Sequence, residues 1–393
     1  MSNLVGFTKG RKSQLMNGLR GDEVHEGLED VVVANSSICR IDGQAGQLIY
    51  RGYPIGELAA HCSFEEVAHL LWHGSLPDAV SLREIADAVG AQSALTLPMV
   101  ELLRRFPHYA EPMSVLRTAI SALGMYDPRA ESDVQETNVE LAYVLTAKAS
   151  SAVATYARLR RGEDPVAPDP GLSHAGNFLY CLTGEYPDEL ATQVFDNCLT
   201  LHAEHGFNAS TFAARVTAAT LSDMYSAITS AIGALRGPLH GGANQRVMGM
   251  LEEIGSPDKA REWVMARLAA RKRIMGFGHR VYRVEDPRAT VLREWCQKLG
   301  DALGQGQWHD ISLAVEQVLS EEKGLHPNVD FYSASVYRML GIENDLYTCI
   351  FAMSRMVGWT AHVLEQWSHN RLIRPRCNYM GPDSLTVAPV EDR

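Results

Sequence analysis

No two cysteines in this chain are spaced C-x-x-C. Cys39, Cys62, Cys181, Cys198, Cys296, Cys349 and Cys377 are scattered singly, a pattern of neither a zinc ribbon nor a disulfide framework, and one that fits reduced thiols in the cytoplasm. No strongly apolar, uncharged run reaches the roughly 18 residues of a membrane span, so no segment reads as bilayer-crossing. Positive charge is also short: 36 Lys and Arg stand against 47 Asp and Glu, a net charge of −11. That balance excludes a protein whose broad basic face tracks a phosphate backbone, and nucleic acid with it. Any anionic ligand must be held by a local concentration of Arg and His. Internal repeats and low-complexity tracts are absent as well.

What is present suits a large helical protein. With 393 residues, 46% of them hydrophobic, the chain can bury one large core or two unequal domains. The first 24 or so residues carry Lys9, Arg11, Lys12 and Arg20, no acid before Asp22 and no amphipathic stripe. They read as a loosely ordered N-terminal extension rather than a transit peptide. SSICRI, then turn residues Asp42, Gly43 and Gly46, then QLIYR predict a hairpin, the one sheet of note. Beyond it, apolar residues at threes and fours predict helices over 64–72, 82–89, 99–106 and 132–159, and 161–171 reads as a surface connection. Residues 210–236, rich in small side chains, predict one buried helix or two.

The chemistry is concentrated in a few stretches. In GFGHRVYRVEDPR, Gly276 and Gly278 allow a close backbone approach to a ligand beside His279, and Asp286-Pro287-Arg288 opens a helix near which the guanidinium lies. One imidazole and one guanidinium could thus converge on a small anion; a lone G-x-G-H can equally do no more than punctuate two helices. In GPLHGGAN, His240 sits in a tight loop before a helix over 245–254, where positive potential favours a neutral imidazole able to donate to an oxyanion. The alternative is a histidine filling a turn. Asp330 in PNVD has two readings: an N-cap of the helix 331–340, with a lowered pKa, or a base facing a cleft.

Leu190, Val194, Cys198 and Leu201 mark a helical stripe on which His205 falls next, as a core residue or a ligand. His202 and His205 alone do not make a zinc site, which needs a third ligand. Arg355 is the only Lys, Arg, Asp or Glu between Asp345 and Glu365, in a helix apolar nearly all round. Buried there, it requires a distant carboxylate or a substrate carboxylate held bidentately. Arg371, Arg374 and Arg376 form a basic cluster near the C-terminus, by itself a solvated face.

GPLHGGAN, GFGHRVYRVEDPR and PNVDFYSASVY, in this order and spacing, resemble the citrate synthase family, and the likeness runs from about Glu26 to the C-terminus. It implies an all-α two-domain fold with a small N-terminal hairpin: a large domain from 25–241 and 341–393, and a small one from 242–340. It also implies condensation of acetyl-CoA with oxaloacetate, with Asp330 as base, His240 stabilising the enol, and His279 and Arg288 polarising the ketone. Oxaloacetate would be held by His205, His279, Arg288 and Arg355, with Arg374 supplied by the neighbouring subunit of a homodimer. CoA would lie along Met275, Gly276, Phe277 and Gly278, with Arg283 and Lys323 near its phosphates. No metal or cofactor is implied.

The length ahead of the hairpin resembles that of the shorter family members, which lack the N-terminal domain of the NADH-regulated ones. Gly206 stands where the family usually has an acid, which weakens a helix there and removes a carboxylate that could orient His205. Two other readings stand beside citrate formation. One is 2-methylcitrate formation from propionyl-CoA, against which Leu239 leans slightly. The other is a helical scaffold without turnover.

Overall fold

The computed structural model describes residues 24–29 and 31–393, so the N-terminal extension read over 1–24 lies, but for its last residue, outside the described residues. Contacts divide the chain into two compact units: Ser36–Leu372, and a smaller one made of the described residues up to Asn35 with Ile373–Arg393. The small unit has two short 3₁₀ turns, Glu26–Leu28 and Val390–Asp392.

The larger unit opens with the expected hairpin. Strands β1 (Cys39–Asp42), β2 (Gln47–Tyr50) and the two-residue β3 (Tyr53–Pro54) form one antiparallel sheet in chain order, with Cys39 opposite Tyr50 and Asp42 opposite Gln47. Asp42 closes the turn by accepting the amides of Gln44 (3.0 Å) and Ala45 (2.9 Å). Leu48 and Tyr50 point into the core, as the period of two requires. The tip rests on residues 281–285. A Cβ on Gly43 would stand 2.1 Å from the Val281 carbonyl oxygen, and Gly43 itself accepts the Arg283 amide at 2.8 Å.

The rest of the regular structure is helical: sixteen α-helices among the described residues, and none long and apolar enough to cross a membrane. Helices Phe64–His73, Ala79–Gln92, Leu97–Arg104 and Gln135–Arg160 correspond to the four expected segments, with ends that differ by a few residues. Ser210–Arg236 resolves into two helices, Ala209–Ala218 and Met224–Leu235. Helix Tyr347–Ser368, buried nearly all round, is the hub. It packs on helices 64–73, 135–160, 189–202, 209–218 and 224–235. Its burial leaves Arg355 only 1% exposed, deep in apolar surroundings.

Candidate active site

Two of the motifs are tied into one strap. The Gly278 amide donates to His326 O (3.1 Å), the Asn328 amide to Gly276 O (2.9 Å) and the Asn328 side chain to Gly278 O (2.9 Å), around an antiparallel bridge between Phe277 and Pro327. Gly276 and Gly278 take φ of 80° and 76°, and a Cβ on Gly276 would meet Phe331 at 2.8 Å. Glycine is therefore required at 276 for space as well as conformation. His279 follows the strap, and its Nδ1 accepts the amides of Val281 (3.0 Å) and Tyr282 (3.2 Å). Two donors on Nδ1 put the ring proton on Nε2, which makes that edge a donor. Burial, then the charge of Arg288, pushes the His279 pKa down to about 4, so the ring is neutral at pH 7.

The helix Val329–Met339 is capped by Asn328, whose side chain accepts the Asp330 amide at 3.1 Å. The capping reading of Asp330 is thereby overturned: Asn also caps well, and here it stands at the helix start. The Asp330 carboxylate is half-buried, and no hydrogen bond among the described residues engages it. Burial raises its pKa to about 6 against the opposing charge of Arg288. Arg288 grips Asp286 bidentately, Nε to Oδ1 at 2.9 Å and Nη2 to Oδ2 at 2.7 Å. Burial alone would lower the Arg288 pKa, but Asp286 more than offsets it. Asp286 also caps the helix Pro287–Leu303 and accepts the Val329 amide at 3.2 Å, so it joins Arg288 to the start of the Asp330 helix.

A second cluster lies around residues 202–205. The helix expected to carry His205 ends at His202. Tyr50 is the reason: its hydroxyl donates to Glu204 O at 2.7 Å and accepts the Glu204 amide at 3.2 Å, which takes up both backbone groups where a further turn would have paired them. Gly206 then adopts φ of 59°, a left-handed conformation that suits glycine and ends the turn. His205 is oriented by Tyr282, whose hydroxyl lies 3.2 Å from Nε2, and its ring meets that of His279 edge to face at 5.2 Å. Burial, reinforced by Arg288, holds its pKa well below the usual histidine range. His202 is turned to its own helix, with Nδ1 2.8 Å from Cys198 O, and no cluster of three potential metal ligands occurs among the described residues.

Arg355 donates Nε to His202 O (2.6 Å) at the carboxyl end of that helix and lies over the Phe351 ring at 4.7 Å. Its Nη2 is buried with no hydrogen-bond partner among the described residues. Among the described residues no carboxylate comes within ion-pairing distance of Arg355, so of the two partners open to it a distant acid in direct contact is not the one found.

His240 lies in the loop ahead of helix Ala243–Ile254. Its Nε2 accepts the Ser210 amide at 3.2 Å and sits 2.8 Å from Ser210 Oγ, which in turn contacts Asn208 Oδ1 (2.7 Å) and accepts the Trp359 indole N–H (3.1 Å). The ring proton is therefore on Nδ1, and burial, then the charge of Arg355, lowers the His240 pKa to about 4.

Met275 and Phe277 are half-buried, Gly276 is buried, and Gly278, Arg283 and Lys323 are exposed. Arg374 belongs to the small unit. Tyr50, Glu204, Ser210, Tyr282 and Asp286 are site-building residues that patterning does not pick out. Only Asp286, as a helix N-cap ahead of proline, carries a local signal.

Two neutral imidazoles that each present one N–H, an unengaged carboxylate of raised pKa and a buried guanidinium with a free nitrogen define an acid–base site for an anionic substrate. The family model for the citrate synthase C-terminal domain matches residues 27–376, and the chain belongs to the citrate synthase family. A citrate synthase of Haloferax volcanii is 52% identical, over 94% of this chain and 99% of its own length. A 2-methylcitrate synthase of Mycobacterium tuberculosis is 44% identical, over 93% and 92%. The likeness extends to the fold. Citrate synthase of Thermoplasma acidophilum, solved as a ternary complex with carboxymethyl coenzyme A and oxaloacetate, superposes with a TM-score of 0.88 at 31% identity, covering 95% of this chain and 100% of that one.

Proposed function

We propose that this chain condenses acetyl-CoA with oxaloacetate and water to give citrate and CoA. The observation that carries the reading is the pairing of protonation states: Asp330 is an unengaged carboxylate with a pKa near 6, and His240 offers a proton from Nδ1 while remaining neutral. Asp330 removes a proton from the acetyl methyl group, and His240 donates a hydrogen bond to the thioester oxygen, so charge is stabilised as it develops. The resulting enol carbon attacks the oxaloacetate ketone, polarised by His279 Nε2–H and Arg288. A carbon–carbon bond forms, the ketone oxygen gains a proton, and water then cleaves the thioester of citryl-CoA. No electrons are exchanged with an outside acceptor, so the reaction asks for no redox cofactor.

His205, His279, Arg288 and Arg355 hold oxaloacetate, and Arg374 reaches the site of the second subunit in a homodimer. CoA lies along Met275–Gly278, with Arg283 and Lys323 toward its phosphates. Residues 242–340 act as the smaller domain and close on the larger one, 25–241 with 341–393, excluding water from the enol. Reduced cysteines and an acidic composition fit a cytoplasmic enzyme. Thiol release from acetyl-CoA, dependent on oxaloacetate, is the test; no release from the wild type would reject the reading. The relative named for 2-methylcitrate supports a second reading, because one methylene in an apolar pocket separates acyl donors by only about 1–3 kcal/mol. A higher kcat/KM with propionyl-CoA would select it.

A further inference from the structure

Glu204 is a fully buried carboxylate for which the condensation has no use. One oxygen, Oε1, is engaged twice, by the Gly206 amide and by His362 Nε2 at 3.0 Å. His362 is itself set by Arg215, whose Nη1 donates to its Nδ1 at 3.0 Å, so His362 gives its single proton to Glu204. Arg215 continues to Glu365 at 2.8 Å and Gln366 at 3.1 Å, anchoring the chain of contacts away from the site. The other oxygen, Oε2, is buried with no hydrogen-bond partner among the described residues.

The position of Oε2 follows from Gly358, which lies one helical turn beyond Arg355. A Cβ on Gly358 would stand 2.3 Å from Glu204 Oε2 and 3.3 Å from Arg355 Cδ, so the free oxygen and the arginine stem flank one point. Yet the two charges form no ion pair, and Arg355 Nη2 is also without a hydrogen-bond partner among the described residues. An unpaired guanidinium and an unpaired carboxylate oxygen, both buried and side by side, are costly apart and balance each other through the low-dielectric interior. Burial lowers the Arg355 pKa, and among the charges around it Glu204 is the largest that opposes this.

We propose that Glu204, held by His362 and the Gly206 amide, is a positioning residue and counter-charge that keeps Arg355 neutralised but unpaired, so that its free nitrogen is available to a substrate carboxylate. The inference rests on the assignment of oxaloacetate to this site. Its consequence is a sign. A carboxylate held beside the pocket repels an incoming dianion, so Glu204 lowers oxaloacetate affinity while it makes the empty site tolerable. Part of the binding energy is thereby withheld from the ground state.

Glu204→Gln keeps an oxygen for His362 and Gly206 and removes only the charge. Oxaloacetate binding to the full-length protein, measured by isothermal titration calorimetry without CoA, should become about three- to tenfold tighter, the size expected for a like charge removed from several ångströms away. The acetyl-CoA KM should not change. Glu204→Ala, which also releases Gly206 and His362, should weaken oxaloacetate binding. Opposite signs from Gln and Ala support the proposal. Weaker or unchanged binding in Glu204→Gln overturns it and leaves Glu204 a structural clasp, and this holds even if the alanine variant fails to fold. Absence of oxaloacetate binding by the wild type is the separate result that would reject the assigned function.

Discussion

The strap at 276–288 and 326–330 brings a histidine, an arginine and a carboxylate to the site, the helix end at 202–205 does the same with Arg355 of helix Tyr347–Ser368 beside it, and the two treat the arginine in opposite ways. In the strap, Arg288 is locked to Asp286 through two short bonds, and the pair doubles as a helix cap. At the helix end, Arg355 keeps Nη2 free while Glu204 spends its bonds on His362 and Gly206. Arg288 is fixed in place by a carboxylate that takes Nε and one N–H of Nη2, whereas Arg355 is anchored only through Nε. One arginine is thus oriented before any ligand arrives, and the other has most of its hydrogen bonds still to make.

The largest effect should come from Asp330→Asn, which removes the base and should lower kcat in the thiol-release assay by about 10²- to 10⁴-fold. The same change should stabilise the protein. A carboxyl group whose folded pKa is raised to about 6 from 3.8 contributes its full stability below pH 3.8 and loses it as pH rises through 6. At pH 8 the asparagine variant should therefore be more stable by an amount on the order of 2 kcal/mol in a thermal melt; a lower midpoint would show that the carboxylate is not strained. In the wild type, kcat/KM for acetyl-CoA should fall as pH drops below about 6.

Asp286→Asn sharpens the contrast between the two carboxylates. It strands a buried guanidinium from its direct partner and should cost about 3–5 kcal/mol in urea unfolding, more than Glu204→Gln. Equal losses would erase the distinction between the two arginines. Arg355→Lys keeps the charge but not the planar fork, and should raise the oxaloacetate KM about tenfold or more with the fold intact. An unchanged KM would mean that the free nitrogen serves no ligand. The smallest effect belongs to Gly43→Ala at the hairpin tip, where the new Cβ would press on Val281 O and cost about 1–3 kcal/mol. It should raise the oxaloacetate KM through His279; an unaltered KM would show the tip to be mechanically separate from the strap.

The helices and the hairpin were legible from periodicity and turn residues, because both are local. His205 lies beyond the helix it was expected to end, because its spacing from Leu201 extends the stripe while the group that stops the helix, the Tyr50 hydroxyl, comes from far away in the chain. Asp330 could be read as a cap because Asn and Asp both cap well and Asn328 stands two residues earlier. Single motifs could place His240, His279 and Asp330 as candidates but could not fix their tautomers or pKa values. Those depend on Ser210, on the amides of Val281 and Tyr282, and on burial. The Glu204–His362 contact joins residues that no spacing rule connects.

The Phe277–Pro327 bridge also has a bearing on how the chain tolerates change in length. It makes His279 and Asp330 one mechanical piece although helices Pro287–Leu303 and Gln307–Lys323 intervene. Those helices pack on each other and are joined at Gly304–Gly306, where Gly304 is exposed with φ of 63°. Because the 276–278 and 326–328 segments are bonded to each other directly, residues inserted at that turn would lengthen the connection without altering the distance between histidine and acid. The turn is thus a natural port for grafted sequence, at which the molecule can grow and its chemistry stay in register.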